Sequence, residues 1–96
     1  MRDYELALVL TPELAEDEVP AAVEKVSQAI ASRGGQVKEV NLWGRRKFAY
    51  PLKRHVEGYY VITQFQMEPQ MVAAVEANLR LNESVLRHLV VRLDEN

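Results

Sequence analysis

The apolar residues of this chain change their period along its length, from two to about 3.6 and back, and that order of periods leaves few folds open. Tyr4, Leu6, Leu8 and Leu10 fall at every second position, which predicts a first strand from Tyr4 to Leu10, ended by Thr11-Pro12-Glu13. Val19, Val23, Val26 and Ile30 recur at helical spacing instead. They predict a helix from about Asp17 to Arg33, with Pro20 tolerated in its first turn and Gly34-Gly35 as its stop. Gln36 to Tyr50 reads as a long second strand with a bulge or bend expected at Gly44. Pro51 is expected to end it, because proline presses Tyr50 toward extended geometry and has no N–H to give a ladder. The stretch Pro51 to Glu57 then reads as a loop. Tyr59 to Met67, rich in β-branched and aromatic residues, predicts a third strand folded back on the second. A shorter helix opens at Pro69, carries Val72, Val75 and Leu79 on one side and fades near Leu81-Asn82. Val85 to Leu93 is the last strand.

The order is βαββαβ, two strand–helix–strand halves joined by a hairpin. Right-handed crossovers fold this order into a ferredoxin-like α+β arrangement, a four-stranded antiparallel sheet with both helices on one face. With 96 residues, 48% of them hydrophobic, one modest core and a single domain over residues 1–96 are expected. The chain has no cysteine, so disulfides, thiolate zinc sites and cysteine nucleophiles are excluded and packing alone must hold it together. Charges in Met1-Arg2-Asp3-Tyr4-Glu5 interrupt any signal-peptide core, and no apolar run approaches a membrane span of about 18 residues. A cytoplasmic, soluble protein is the expectation.

This layout carries enzymes, metabolite sensors and nucleic-acid binders alike, so function must come from the site. A phosphatase on this fold would cradle phosphate after the first strand with glycine amides and an arginine, whereas that loop here is Thr11-Pro12-Glu13-Leu14-Ala15-Glu16. An acidic, glycine-free loop repels phosphate. It also disfavours the alternative of a metabolite-sensing or oligomerisation module, which needs a glycine-rich ligand loop in the same place. His55 and His88 lie far apart in sequence without a metal-binding motif, and Glu16-Asp17-Glu18 lacks the glycine and spacing of a calcium loop. That acidic trio reads as first-turn carboxylates favoured by the helix dipole. No catalysis, cofactor, metal or small-molecule substrate is expected.

Charge is distributed unevenly. Residues 1–24 hold seven acids and one base, whereas residues 45–54 hold Arg45, Arg46, Lys47, Lys53 and Arg54 and no acid. That segment therefore carries +5 and the rest of the chain −7. A polyanion should meet the chain here. The usual RNA-recognition signature on strand three is absent, since only Gly58 and Tyr59 of the run from Glu57 to Gln64 match it. In the hairpin stem, by contrast, guanidinium and ammonium groups sit among Trp43, Phe48 and Tyr50, rings that can stack on exposed bases. The competing account is a solvated edge strand, charged to prevent aggregation. A period of two puts Arg45 and Lys47 on one face and Arg46 on the other, unless Gly44 displaces the register. Arg45 and Lys47 are expected to face RNA with Lys53 and Arg54 at the hairpin end. Arg46 is expected nearer the sheet edge, bridging a carboxylate such as Glu57. Arg80 and Arg87, on or near the last strand, can extend the surface.

Arg2-Asp3-Tyr4-Glu5, the block Trp43-Gly44-Arg45-Arg46-Lys47-Phe48-Ala49-Tyr50-Pro51-Leu52, Gly58-Tyr59-Tyr60 and the run Leu81-Asn82-Glu83-Ser84-Val85-Leu86-Arg87 resemble the bacterial small-subunit ribosomal protein six family. The similarity runs through essentially the whole chain with the same element order. It implies a structural protein of the small subunit's central-domain platform that binds 16S ribosomal RNA together with ribosomal protein eighteen. The family's arginine-rich strand falls on Arg45, Arg46 and Lys47, its post-proline base on Lys53 or Arg54, and its strand-four arginine on Arg87. Arg2, Tyr50 and Arg80 complete the candidate RNA contacts. Some members continue into an acidic tail that receives added glutamates. This chain stops at Leu93-Asp94-Glu95-Asn96, so that modification is not expected here.

Overall fold

A computed structural model describes residues 1–93, and the expectation about the chain's end at Asp94-Glu95-Asn96 lies outside the described residues. Strand β1 (Arg2–Leu10) is followed by a 3₁₀ turn (Glu16–Glu18), helix α1 (Val19–Ala31), strands β2 (Gln36–Leu52) and β3 (His55–Met67), helix α2 (Pro69–Leu81) and strand β4 (Val85–Arg92). The four strands form one antiparallel sheet in the order β2-β3-β1-β4, as the ferredoxin-like reading requires.

Alternation decides which face is covered. Tyr4, Leu6, Leu8 and Leu10 of β1 stand opposite Phe65, Thr63, Val61 and Tyr59 of β3 on one side of the sheet. Val19, Val23, Val26 and Ile30 of α1 and Val75 and Leu79 of α2 close over that side, so both helices share one core. Leu6, Leu8, Ile30, Phe65 and Met67 are almost wholly removed from solvent, each worth about 1.5–3 kcal/mol in burial. Tyr4 stacks on Phe65 with centroids 5.4 Å apart. No helix among the described residues is long and apolar enough to cross a membrane.

Two regions differ from expectation for local reasons, the start of α1 and the β2–β3 connection. Glu16-Asp17-Glu18 is not the first turn of α1; it forms its own 3₁₀ turn, with Glu18 accepting a hydrogen bond from the Ala15 N–H at 2.6 Å. Gly34, at φ +83°, ends the α1 segment as expected, and the Gly34 and Gly35 N–H groups donate to Ala31 and Ile30 carbonyls. The β2–β3 loop is much shorter than Pro51–Glu57: β2 runs through Pro51 to Leu52 and β3 begins at His55, leaving Lys53 and Arg54 as a two-residue turn. Both turn residues have positive φ, 46° and 71°, the combination that matches strand twist in a tight hairpin. Pro51 is tolerated because β2 is an edge strand and the β2–β3 register slips between Lys47 and Leu52, so the ladder does not need its missing N–H.

Candidate nucleic-acid interface

The hairpin's register decides where its bases point. Arg45 stands opposite Tyr59, Arg46 opposite Gly58 and Lys47 opposite Glu57. Tyr59 belongs to the core face, so Arg45 and Lys47 share the helix-bearing side and Arg46 takes the open side, the split that a period of two predicts. Gly58 allows a close approach there: a Cβ on it would meet the Leu10 carbonyl at 2.6 Å and the Phe48 ring at 3.0 Å. Phe48 in turn lies 6.1 Å from the Tyr60 ring.

The expected bridge from Arg46 to Glu57 is made by Arg45 instead. Arg45 lies 3.4 Å from the Glu57 carboxylate, and its guanidinium donates to the Tyr59 hydroxyl at 2.9 Å and to the Pro12 carbonyl at 3.2 Å. It also sits 4.9 Å from the Tyr59 ring centroid. The Tyr59 hydroxyl passes the chain on, donating to the Leu14 carbonyl at 3.1 Å. The bond to Tyr59 holds the Arg45 guanidinium above its ordinary pKa, with the attraction of Glu57 adding to it. Arg45 is thus a clamp between the hairpin and the loop after β1. His55, 3.8 Å from Glu13, ties the hairpin to the same loop. Sequence reasoning missed Tyr59 as a polar partner, because its alternation signals only a core-facing ring.

Arg46 lies beside Trp43 instead, its guanidinium 5.9 Å from the indole centroid and its Nε donating to the Trp43 carbonyl at 3.4 Å. Lys47, Lys53 and Arg54 are exposed, and Tyr50 is 69% exposed. Lys53 from the hairpin turn, Arg80 from the last turn of α2 and Arg87 from β4 line one open cleft of about 280 Å³, together with Leu79, Val85, Leu86 and His88. The structure therefore joins cations from three elements that the sequence keeps apart. His88, within 3.4 Å of Glu76, adds a residue that sequence analysis weighed only as a metal ligand. Arg2 stands elsewhere: it pairs with Met67 at one end of β1, whereas the hairpin cations lie beyond Leu10 at the other end, about 27 Å away at strand rise.

The arrangement offers fixed positive charge, exposed rings and an open cleft, which suits a phosphate backbone with unpaired bases. Comparison with known proteins gives the family. A family model described as ribosomal protein S6 matches residues 3–92. Small ribosomal subunit protein bS6 of Dehalococcoides mccartyi is 41% identical over 95 residues, covering 99% of this chain and 87% of that one. The protein of the same name from Mycolicibacterium paratuberculosis is 41% identical over 96 residues, with both chains covered in full. The crystal structure of 30S ribosomal protein S6 from Thermotoga maritima superimposes with a TM-score of 0.90 at 31% identity, covering 96% of this chain and 87% of that one. A match of this extent, in sequence and in three dimensions alike, places the chain in the ribosomal protein S6 family, whose members are structural, non-enzymatic components of the bacterial small ribosomal subunit.

Proposed function

We propose that this protein binds the central domain of 16S ribosomal RNA on the small-subunit platform, and does so tightly only together with ribosomal protein eighteen. The observation that carries the RNA reading is the cleft where Lys53, Arg80 and Arg87 converge. Three cations with no ion-pair partner among the described residues gain most from a phosphate, whose bound counterions they release. The hairpin extends this footprint through Lys47 and Arg54, while Arg45 spends its charge on Glu57 inside the protein.

The need for a partner follows from the charge balance. Five clustered bases oppose a remainder of −7, so the long-range field does little to draw in a polyanion. A basic protein bound alongside supplies that attraction. Filter binding of a central-domain RNA fragment, with each protein omitted in turn, tests the proposal. Tight retention is expected only when both proteins are present. Equal affinity with and without ribosomal protein eighteen would refute the cooperative part, and no retention under any condition would refute the RNA reading.

A further inference from the structure

We infer that Trp43, held beside Arg46, is a stacking platform for one unpaired RNA base, an inference that rests on the RNA reading above. Tryptophan is usually well buried, and an exposed edge strand is normally protected by charge. Trp43 nevertheless lies 54% exposed on the edge strand β2.

Its position there depends on a specific backbone device. The ladder pairs Leu42 with Val61 and Gly44 with Tyr60, so Trp43 is the extra residue of a bulge. Gly44 takes φ +87°, and a Cβ built on it meets nothing within 4 Å. Glycine is therefore required at that position by conformation and not by space. The bulge takes Trp43 out of the alternation that would commit its indole to a face of the sheet, and Arg46 lies next to it.

The occupant follows from the charge around the ring. Arg46 lies beside it on the open side, Lys53 and Arg54 lie further along the hairpin, and residues 45–54 contain no acid. A protein anchor would find like-charged surroundings unless it were acidic. A base of a single-stranded RNA segment brings its own phosphates to these cations while its ring covers the indole.

Trp43 is the only tryptophan in the chain, so its emission reports on this site alone. The test titrates the intact protein, with ribosomal protein eighteen present, with the central-domain RNA fragment, following on the same samples filter retention and the tryptophan emission that a parallel titration of Trp43→Phe lacks. Emission should be quenched in step with retention. Trp43→Ala should weaken binding by about 5- to 150-fold, the range for one stacked base, with the salt slope unchanged because no cation is lost. Trp43→Phe should recover part of that loss. Retention with unaltered emission, or parental affinity in Trp43→Ala, overturns the stack and leaves the RNA reading standing. Quenching by ribosomal protein eighteen without RNA would make Trp43 a protein anchor and overturn it too. Absence of any retention removes the RNA reading and the stack with it.

Discussion

Replacing Tyr59 by phenylalanine isolates the hairpin clamp, because the ring stays in the core and only the hydroxyl is lost. That hydroxyl donates to the Leu14 carbonyl at 3.1 Å and accepts from Arg45 at 2.9 Å, and Tyr59 is only 5% exposed. Each hydrogen bond contributes about 0.5–1.5 kcal/mol net, so losing both should cost roughly 1–3 kcal/mol. For a chain of this size each kcal/mol moves the melting temperature by about 4–8 °C. Tyr59→Phe should therefore melt at least about 4 °C below the parent in a thermal scan followed by circular dichroism. Tyr60→Phe is the matched control, since the Tyr60 hydroxyl has no hydrogen-bond partner among the described residues and its ring touches Phe48. It should melt within a degree or two of the parent. If Tyr59→Phe and Tyr60→Phe melt alike, the hydroxyl contributes nothing and the clamp is only a close approach of surface groups.

Lys53→Ala and Arg87→Ala should each flatten the slope of log affinity against log salt for central-domain RNA by close to one unit, because each removes one cation from the cleft. Arg45→Ala should leave that slope unchanged, and salt titrations of the three variants settle the contrast. Thr63→Val should raise stability by roughly 1–2 kcal/mol in denaturant unfolding, since the Thr63 hydroxyl is buried without a hydrogen-bond partner.

The order of elements was legible because burial follows period: Tyr4, Leu6 and Leu8 on β1 and Val19, Val23 and Val26 on α1 are core residues, as their spacing implies. The hairpin turn was not. A two-residue turn usually announces itself by Asn-Gly or Asp-Gly, and here Lys53 and Arg54 adopt positive φ without either signal. Register was hidden as well. Slips between Val37 and Glu39, Leu42 and Gly44, and Lys47 and Leu52 decide that Arg45 and not Arg46 meets Glu57, and no alternation within one strand shows them. Of the candidate RNA residues, the hairpin cluster could be read from local charge. The cleft could not, because Lys53, Arg80 and Arg87 come from three elements and meet only through the sheet order.

That sheet order also governs when the cleft exists during folding. β1 is central and is synthesised first, yet its neighbour β4 comes last, so pairing Leu6 with Val90 closes a loop of nearly the whole chain. The length-dependent part of that closure costs roughly 4 kcal/mol, whereas β2 and β3 meet across two residues. The hairpin is thus entropically cheap to form early, and β4 is the natural last arrival. Arg87 travels with β4. A chain whose last strand has not docked displays the hairpin bases but lacks the third wall of the cleft, and a ligand that grips all three cations holds the last strand and α2 to the hairpin made in mid-chain.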